Sequence, residues 1–432
     1  MIKEKREYYR ILLGMSFPIL MNYLVTTLFE VFDKAIVGNY STEGFAAISI
    51  ASSVIYTVTG SLGMLSVAYN IIAAERMGKN HIDKFREDFK LTMIISILVG
   101  FIVIIVSLLG GNFLFKYIFA IEDNILKKCL DYFYISSVTI MLNMIIFIFS
   151  AYYRNLKNTI ITLYSTIVAT VINIVFDYIL VYGKFGFPEC GVKGAAIGSV
   201  LGLLCGILVY IIKIYKDDTF ELKICCDKET IKKLIKLYVP LLGQDLMECT
   251  VFTFMLTGII SRLNVYEIAA YGLSESMASI ISLPIFAFSS AAMTLSLQKS
   301  FSGEENCARN ILKSAITLSC IVVTTIGILI MTFPKLTFGV ISNDIKVIQR
   351  VIEIFIIVIL VQLINVFHQI YKSYLQGKNS EKFVLKCTIV VSIASTIWIS
   401  FLSKKFGLFG IYIGITINYL LLALLYSNKM KK

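Results

Sequence analysis

Between Thr159 and Tyr182 an apolar stretch is interrupted by two strongly polar side chains, Asn173 and Asp177. Spaced i,i+4, they share one face of a helix one turn apart, so an amide carbonyl and a carboxylate converge on one small volume. The chemistry this permits is the holding of a lone cation, either H+ or a hard ion such as Na+, by oxygen donors. An ionised carboxylate near the middle of a bilayer costs about 2.5 to 3.5 kcal/mol on insertion scales, so such acids face a protein interior or a water-filled cavity. The alternative is an acid neutralised by a neighbouring Lys or Arg, but no basic residue lies between Lys157 and Lys184. Asp177 is therefore expected to be a functional site.

Other polar residues in apolar segments need the same scrutiny. Glu30 and Lys34 can pair at i,i+4, which leaves Asp33 without a local partner. The first and fifth helices run the same way, so Asp33 and Asp177 are expected at one depth. Further on, Gln244, Asp245 and Glu248 fall within the first turns of the seventh helix, and Glu248 is the deepest acid. Gln362, Asn365, His368 or Gln369, and Lys372 form a stripe along the tenth helix that lines either a cavity or a helix contact. Glu275 in the eighth helix has no evident partner.

The elements that must position these groups follow from hydropathy. The 432-residue chain is 57% apolar with only 16% charged residues, and its mean hydropathy is +0.81. That is too apolar for a soluble globular protein. Runs of about 20 apolar residues give twelve helices, near residues 12–37, 45–74, 90–110, 131–153, 159–182, 194–215, 237–261, 268–297, 311–333, 351–375, 383–403 and 407–427. The fold class is an all-α polytopic membrane protein. A net charge of +12 does not point to nucleic acid, because Lys and Arg alternate between loops. They concentrate at the N-terminus (Lys3, Lys5, Arg6, Arg10), after the second helix (Arg76 to Lys90), between the sixth and seventh (Lys213 to Lys236) and at the C-terminus. This places both termini in the cytoplasm, in a multi-pass protein of the inner membrane. The first apolar run is too long for a signal-peptide core and stays as a helix.

Nine cysteines are scattered without a C-x-x-C or Cys/His cluster, and only His81 and His368 are present, so neither a disulfide framework nor a zinc site is expected. The absence of a G-x-x-x-x-G-K-[ST] loop argues against an ATP-driven pump.

The second half echoes the first with an offset of about 222 residues. Phe17-Pro18-Ile19-Leu20 recurs as Val239-Pro240-Leu241-Leu242, Ala46-Ala47 as Ala269-Ala270, and Leu142-Asn143 as Ile364-Asn365. Gly191, Gly194 and Gly198 recur, at the shorter offset of 216, as Gly407, Gly410 and Gly414. Six helices per half, an even number, give two bundles of the same orientation, related by a pseudo-two-fold axis along the membrane normal. The expected division is residues 1–215, a cytoplasmic linker at 216–236, and residues 237–432. Such paired bundles enclose a midplane cavity that opens to each side in turn, so transport is the expected activity. Pro18 and Pro240 are either bend points or first-turn prolines.

Several motifs resemble one family. Phe32-Asp33-Lys34-Ala35-Ile36-Val37-Gly38 looks like an Asp-x-x-x-Val-Gly signature, Asn173 to Tyr178 like an Asn-x-x-x-Asp-Tyr segment, and Gly191-Val192-Lys193-Gly194-Ala195-Ala196 like the opening of a sixth helix. In order and spacing they resemble the MATE (multidrug and toxic compound extrusion) transporters from Pro18 to about Gly414. The resemblance implies a secondary active antiporter, not an enzyme, that exports small-molecule organic cations or drugs in exchange for H+ or Na+. It implies that Asp33, Asn173 and Asp177 hold the coupling cation, as metal ligands if that ion is Na+, and that no other cofactor is needed. Glu248 matches a helix-seven acid and is expected, with Asn365, to bind substrate. Asn365 stands where some members carry an acid, and Leu375-Gln376-Gly377 departs from the usual Leu-Arg-Gly. The partners expected are the organic cation and the lipid bilayer, with no nucleic acid, around a monomer. The rival readings are a flippase for lipid-linked oligosaccharides from the same wider superfamily, which would need a cationic cavity, and an ion channel or membrane scaffold.

Overall fold

The structure, a computed structural model, describes residues 2–217 and 227–431, with side chains from Arg6 onward. The centre of the expected linker, including Cys225 and Cys226, lies outside the described residues. The helices are α1 (Ile2–Tyr40), α2 (Thr42–Gly78), α3 (Ile82–Phe113, prolonged by a wide π turn at Leu114–Ile118), α4 (Asp123–Asn155), α5 (Ile160–Tyr182) and α6 (Val192–Lys216). They continue as α7 (Lys228–Asp245, widened at Leu246–Phe252 and resumed over Thr253–Ile260), α8 (Val265–Phe301), α9 (Glu305–Thr332) and α10 (Ile345–Leu375). The last helical stretch, Glu381–Lys431, breaks at Gly407 (φ 59°, ψ −139°) into α11 (381–406) and α12 (408–431). Lys378 and Asn379 are non-helical and separate α10 from α11. Twelve membrane-crossing helices result among the described residues, as the hydropathy pattern predicts.

Helix starts differ from that pattern. α1 begins at Ile2 rather than near residue 12, α3 at Ile82 rather than 90, α4 at Asp123 rather than 131, and α7 at Lys228 rather than 237. Hydropathy registers only the turns that cross lipid; amphipathic turns rich in Lys and Glu prolong the helix beyond it. Consequently Pro18 and Pro240 lie well inside α1 and α7, where each removes a backbone hydrogen bond.

The chain groups into two compact units. One runs from Phe17 to Tyr238; the other joins the stretch up to Ser16 with Val239 onward. Each boundary falls one residue ahead of a proline. In the first unit, α2 packs along α4 and α5 along α6, and Val37, Ala47, Ile48, Phe115, Phe133, Val181 and Ala195 belong to one buried cluster. Polar contacts hold the start of α7 to this unit: Arg76 Nε lies 2.8 Å from Asp88 Oδ2, the Thr230 hydroxyl donates to Asp88 Oδ1 at 3.0 Å, and Lys233 pairs with Glu75. Asp227 precedes the helix and accepts from the Glu229 backbone N–H at 3.0 Å. That bond, with another from the Thr230 hydroxyl, holds its carboxyl below the ordinary range. The cap therefore persists above that lowered value and weakens as pH falls through it. In the second unit Leu375, Val384, Val391, Leu422 and Tyr426 pack together.

The glycines of the repeat have a physical role. Gly191 (φ 53°, ψ −127°) and Gly407 (φ 59°, ψ −139°) adopt the same backbone conformation at the starts of α6 and α12, one that side chains disfavour. A Cβ on Gly194 would sit 2.6 Å from the Leu180 carbonyl carbon, and one on Gly410 2.6 Å from that of Leu402. Both helix pairs, α5 with α6 and α11 with α12, thus approach backbone to backbone.

Candidate functional site

This close packing locates the acid. On α6 a Cβ at Gly198 would fall on Asp177 Oδ1, and one at Gly202 would sit 2.8 Å from Asn173 Cβ. The bare face of α6 thus seals Asn173 and Asp177 from one side. Asn173 Nδ2 donates to Asp177 Oδ1 at 3.3 Å and to Ser199 Oγ at 3.1 Å, which fixes the amide and turns its carbonyl oxygen away. From α1, the Asp33 carboxyl comes within hydrogen-bonding reach of that of Asp177. All three side chains are buried. Asp33 Oδ1, Asn173 Oδ1 and Asp177 Oδ2 have no hydrogen-bond partner. Three nominated residues therefore each leave one buried oxygen unsatisfied, which is costly unless something positive meets it. Nor can two adjoining buried carboxylates persist as bare anions. The donor set, oxygen only, fits a proton or a hard cation.

Asp33 and Asn173 open onto a cavity of about 400 Å3 that lies wholly within the Phe17–Tyr238 unit. Glu30, within hydrogen-bonding reach of Tyr56, lines it as well. Hydroxyls and amides from α1, α4 and α5, including Thr26, Thr139 and Asn143, complete the wall, and its lining includes no Lys or Arg. A cation is favoured in this volume and a phosphate is not.

Sequence reasoning nominated Asp33, Asn173 and Asp177, whose side chains come together, but Asn173 turns its amide nitrogen toward Asp177 and not the carbonyl oxygen that the i,i+4 spacing led one to expect. Glu248 and Asn365 belong to the other unit. There Glu248 Oε2 accepts from Lys372 Nζ at 2.7 Å and Glu248 Oε1 from Gln244 Nε2 at 2.9 Å. Asn365 Nδ2 donates to Gln362 Oε1 at 3.2 Å, and Asn365 Oδ1 lies 3.2 Å from His368 Nδ1. Shifting Gln244, Glu248, Asn365, His368 and Lys372 back by about 222 residues gives Asn22, Thr26, Asn143, Ile146 and Ser150, all of which line the cavity of the first unit. Where one repeat lines a cavity, the other thus carries a hydrogen-bonded polar network. The converse also applies. Asp33, Asn173 and Asp177 correspond to Met255, Ser395 and Ile399, and a Cβ on Gly414 would meet Ile399 just as one on Gly198 meets Asp177.

Residues that the sequence did not single out are Ser199, Tyr56 and the α4 stripe of Ser136, Thr139, Asn143 and Ser150. The helical spacing of that stripe was the available signal. The glycine contacts carry a prediction. Gly198→Ala drives α6 from α5 at the acid, costing about 1–3 kcal/mol, and thermal melts of the purified protein should register it. Ser199→Ala, which removes one acceptor, should cost less.

A duplicated all-α membrane bundle with buried, unpartnered carboxyl and amide oxygens in one half has the architecture of a multi-pass membrane transporter. A family model described as MatE matches residues 18–179 and 240–402, one match in each half. The chain belongs to that family, whose members are transporters and not enzymes. Among relatives, a probable multidrug resistance protein NorM of Thermotoga maritima is 25% identical over 358 residues, covering 80% of this chain and 75% of its own. One from Bacillus licheniformis is 23% identical, covering 96% and 93%. The fold matches the outward-facing conformation of a multidrug resistance MATE transporter (TM-score 0.87, 16% identity, 98% of this chain and 96% of that one). It also matches a Vibrio cholerae MATE transporter variant (TM-score 0.90, 15% identity, 99% and 98%).

Proposed function

We propose that this protein is a secondary active antiporter that exports organic cations, drugs among them, as H+ or Na+ enters through the Asp33–Asn173–Asp177 site. The observation that carries the proposal is the set of three unpartnered buried oxygens on Asp33, Asn173 and Asp177, the first two of these residues lining a cavity whose wall carries carboxylates and no basic residue. Cation entry satisfies those oxygens and cancels the charge that would otherwise attract the exported cation, so the two compete and exchange follows. The cytoplasmic placement of both termini in an inner membrane, alternating access and a monomeric state belong to the same reading. The acidic lining favours it over the oligosaccharide flippase, whose diphosphate needs cationic walls.

In the second unit Lys372 already meets the Glu248 charge. Among the described residues Glu275 on α8 has no ion pair or hydrogen bond, and it lies one helical turn from Tyr271. Glu275 is the better counter-charge for a substrate cation, with an aromatic ring beside it. In proteoliposomes, ethidium should leave under an imposed Na+ gradient or an imposed pH gradient, tested separately. Export driven by neither gradient would defeat the antiporter reading.

A further inference from the structure

Grooves on exposed faces of α1 and α7 recur at matching positions of the two repeats. One is lined by Arg6, Glu7, Tyr9, Arg10 and Leu13. The other is lined by Lys228, Ile231, Lys232 and Ile235, the positions about 222 residues after Arg6, Tyr9, Arg10 and Leu13. Each presents two cations one helical turn apart, with an apolar side chain between them and another a turn below. The apolar strip continues toward the proline: Leu13 and Phe17 are 43% and 59% exposed, Ile235 and Val239 55% and 59%. The opposite faces are buried in both, through Leu12 and Met15 in α1 and Leu234 and Leu237 in α7.

We propose that each groove binds one anionic phospholipid of the leaflet at which its helix begins. The paired cations take the headgroup phosphate and the exposed apolar strip lies along the upper acyl chain. Charge complementarity commits the occupant: a zwitterionic headgroup gains little from two adjacent cations, whereas a net negative one gains from each. The long Arg and Lys side chains can lie along the apolar strip and lift their charges to headgroup level. Glu7 lowers the net charge of the α1 groove, so the α7 groove is the tighter of the two. Both lipids sit on the outer turns just ahead of Pro18 and Pro240, where they anchor those turns at the interface.

The test uses the full-length protein in neutral detergent, titrated with phosphatidylglycerol or phosphatidylcholine, with bound lipid counted by native mass spectrometry. The parent should retain phosphatidylglycerol in preference to phosphatidylcholine. Arg6→Ala with Arg10→Ala should weaken one class of bound phosphatidylglycerol roughly tenfold or more, Lys228→Ala with Lys232→Ala the other, and all four substitutions both. Arg309→Ala with Lys313→Ala, an exposed basic pair of the same spacing on α9, should leave both. Retention by the fourfold variant, or an equal loss from the α9 pair, overturns the proposal. A salt titration of the parent gives a reading independent of how the variants fold: phosphatidylglycerol should dissociate as ionic strength rises, and insensitivity to salt counts against the two sites.

Discussion

Asp177→Asn should reduce ion-driven export at least tenfold while leaving a folded protein in the membrane. The substitution keeps the side chain's shape on α5 and its place against Gly198 but removes the carboxyl that lies within hydrogen-bonding reach of Asp33. The new amide can donate to Asp33 Oδ1, which has no partner now, so the melting temperature of the purified protein should hold or rise. Loss of activity and retention of stability together separate a coupling role from a structural one. A structural acid predicts the opposite pair of results, and unimpaired efflux at normal expression would remove Asp177 from the mechanism. Asp33→Asn should act in the same direction; if one cation is held jointly by both carboxyls, the double substitution should be no worse than Asp177→Asn alone.

The reason these residues were legible is energetic. A carboxylate in an apolar run is expensive, so its presence marks a cavity or a partner, and i,i+4 spacing fixes which neighbours share its face. Hydroxyls carry no such mark. Thr26 Oγ1 donates to the Asn22 carbonyl in its own helix at 2.9 Å, so a cavity-lining threonine reads like any threonine in an apolar helix. The glycines of α6 showed in the sequence as a repeat marker without a purpose; only the placement of Asp177 Oδ1 beneath Gly198 explains why no side chain fits. The partner of Glu248 was not legible because Lys372 lies 124 residues away, on a helix whose polar stripe fitted a cavity and a helix contact equally well. Helix starts were misplaced because the turns ahead of Pro18 and Pro240 carry Arg, Lys and Glu that lower hydropathy without breaking the helix.

The repeats then divide the work. The first unit has Asp33, Asn173 and Asp177 beside a cavity; the second has Met255, Ser395 and Ile399 at those positions and a polar network at the positions that line the first unit's cavity. Gln376 Nε2 donates to Gln244 Oε1 at 2.8 Å, Gln244 to Glu248, and Lys372 to Glu248. At the positions where the first unit lines a cavity, the second thus holds an internal ion pair between Lys372 and Glu248.

That arrangement has a measurable consequence at Glu248. Glu248→Gln strands the Lys372 ammonium among the side chains of α7, α10 and α11, and Lys372→Met strands the carboxylate. Breaking a buried pair costs about 3–5 kcal/mol. With side chains 12% and 23% exposed for Lys372 and Glu248, each single substitution should fall near the lower end of that range. Replacing both at once removes the two desolvated charges together and should recover most of the loss, giving a coupling of about 2 kcal/mol or more in a double-mutant cycle read by thermal or denaturant unfolding in detergent. Export should follow the same order, low in each single variant and largely restored in the double. If Glu248→Gln instead melts like the parent and loses export that Lys372→Met cannot restore, Glu248 meets the substrate directly, and the ion pair with Lys372 is only its resting contact.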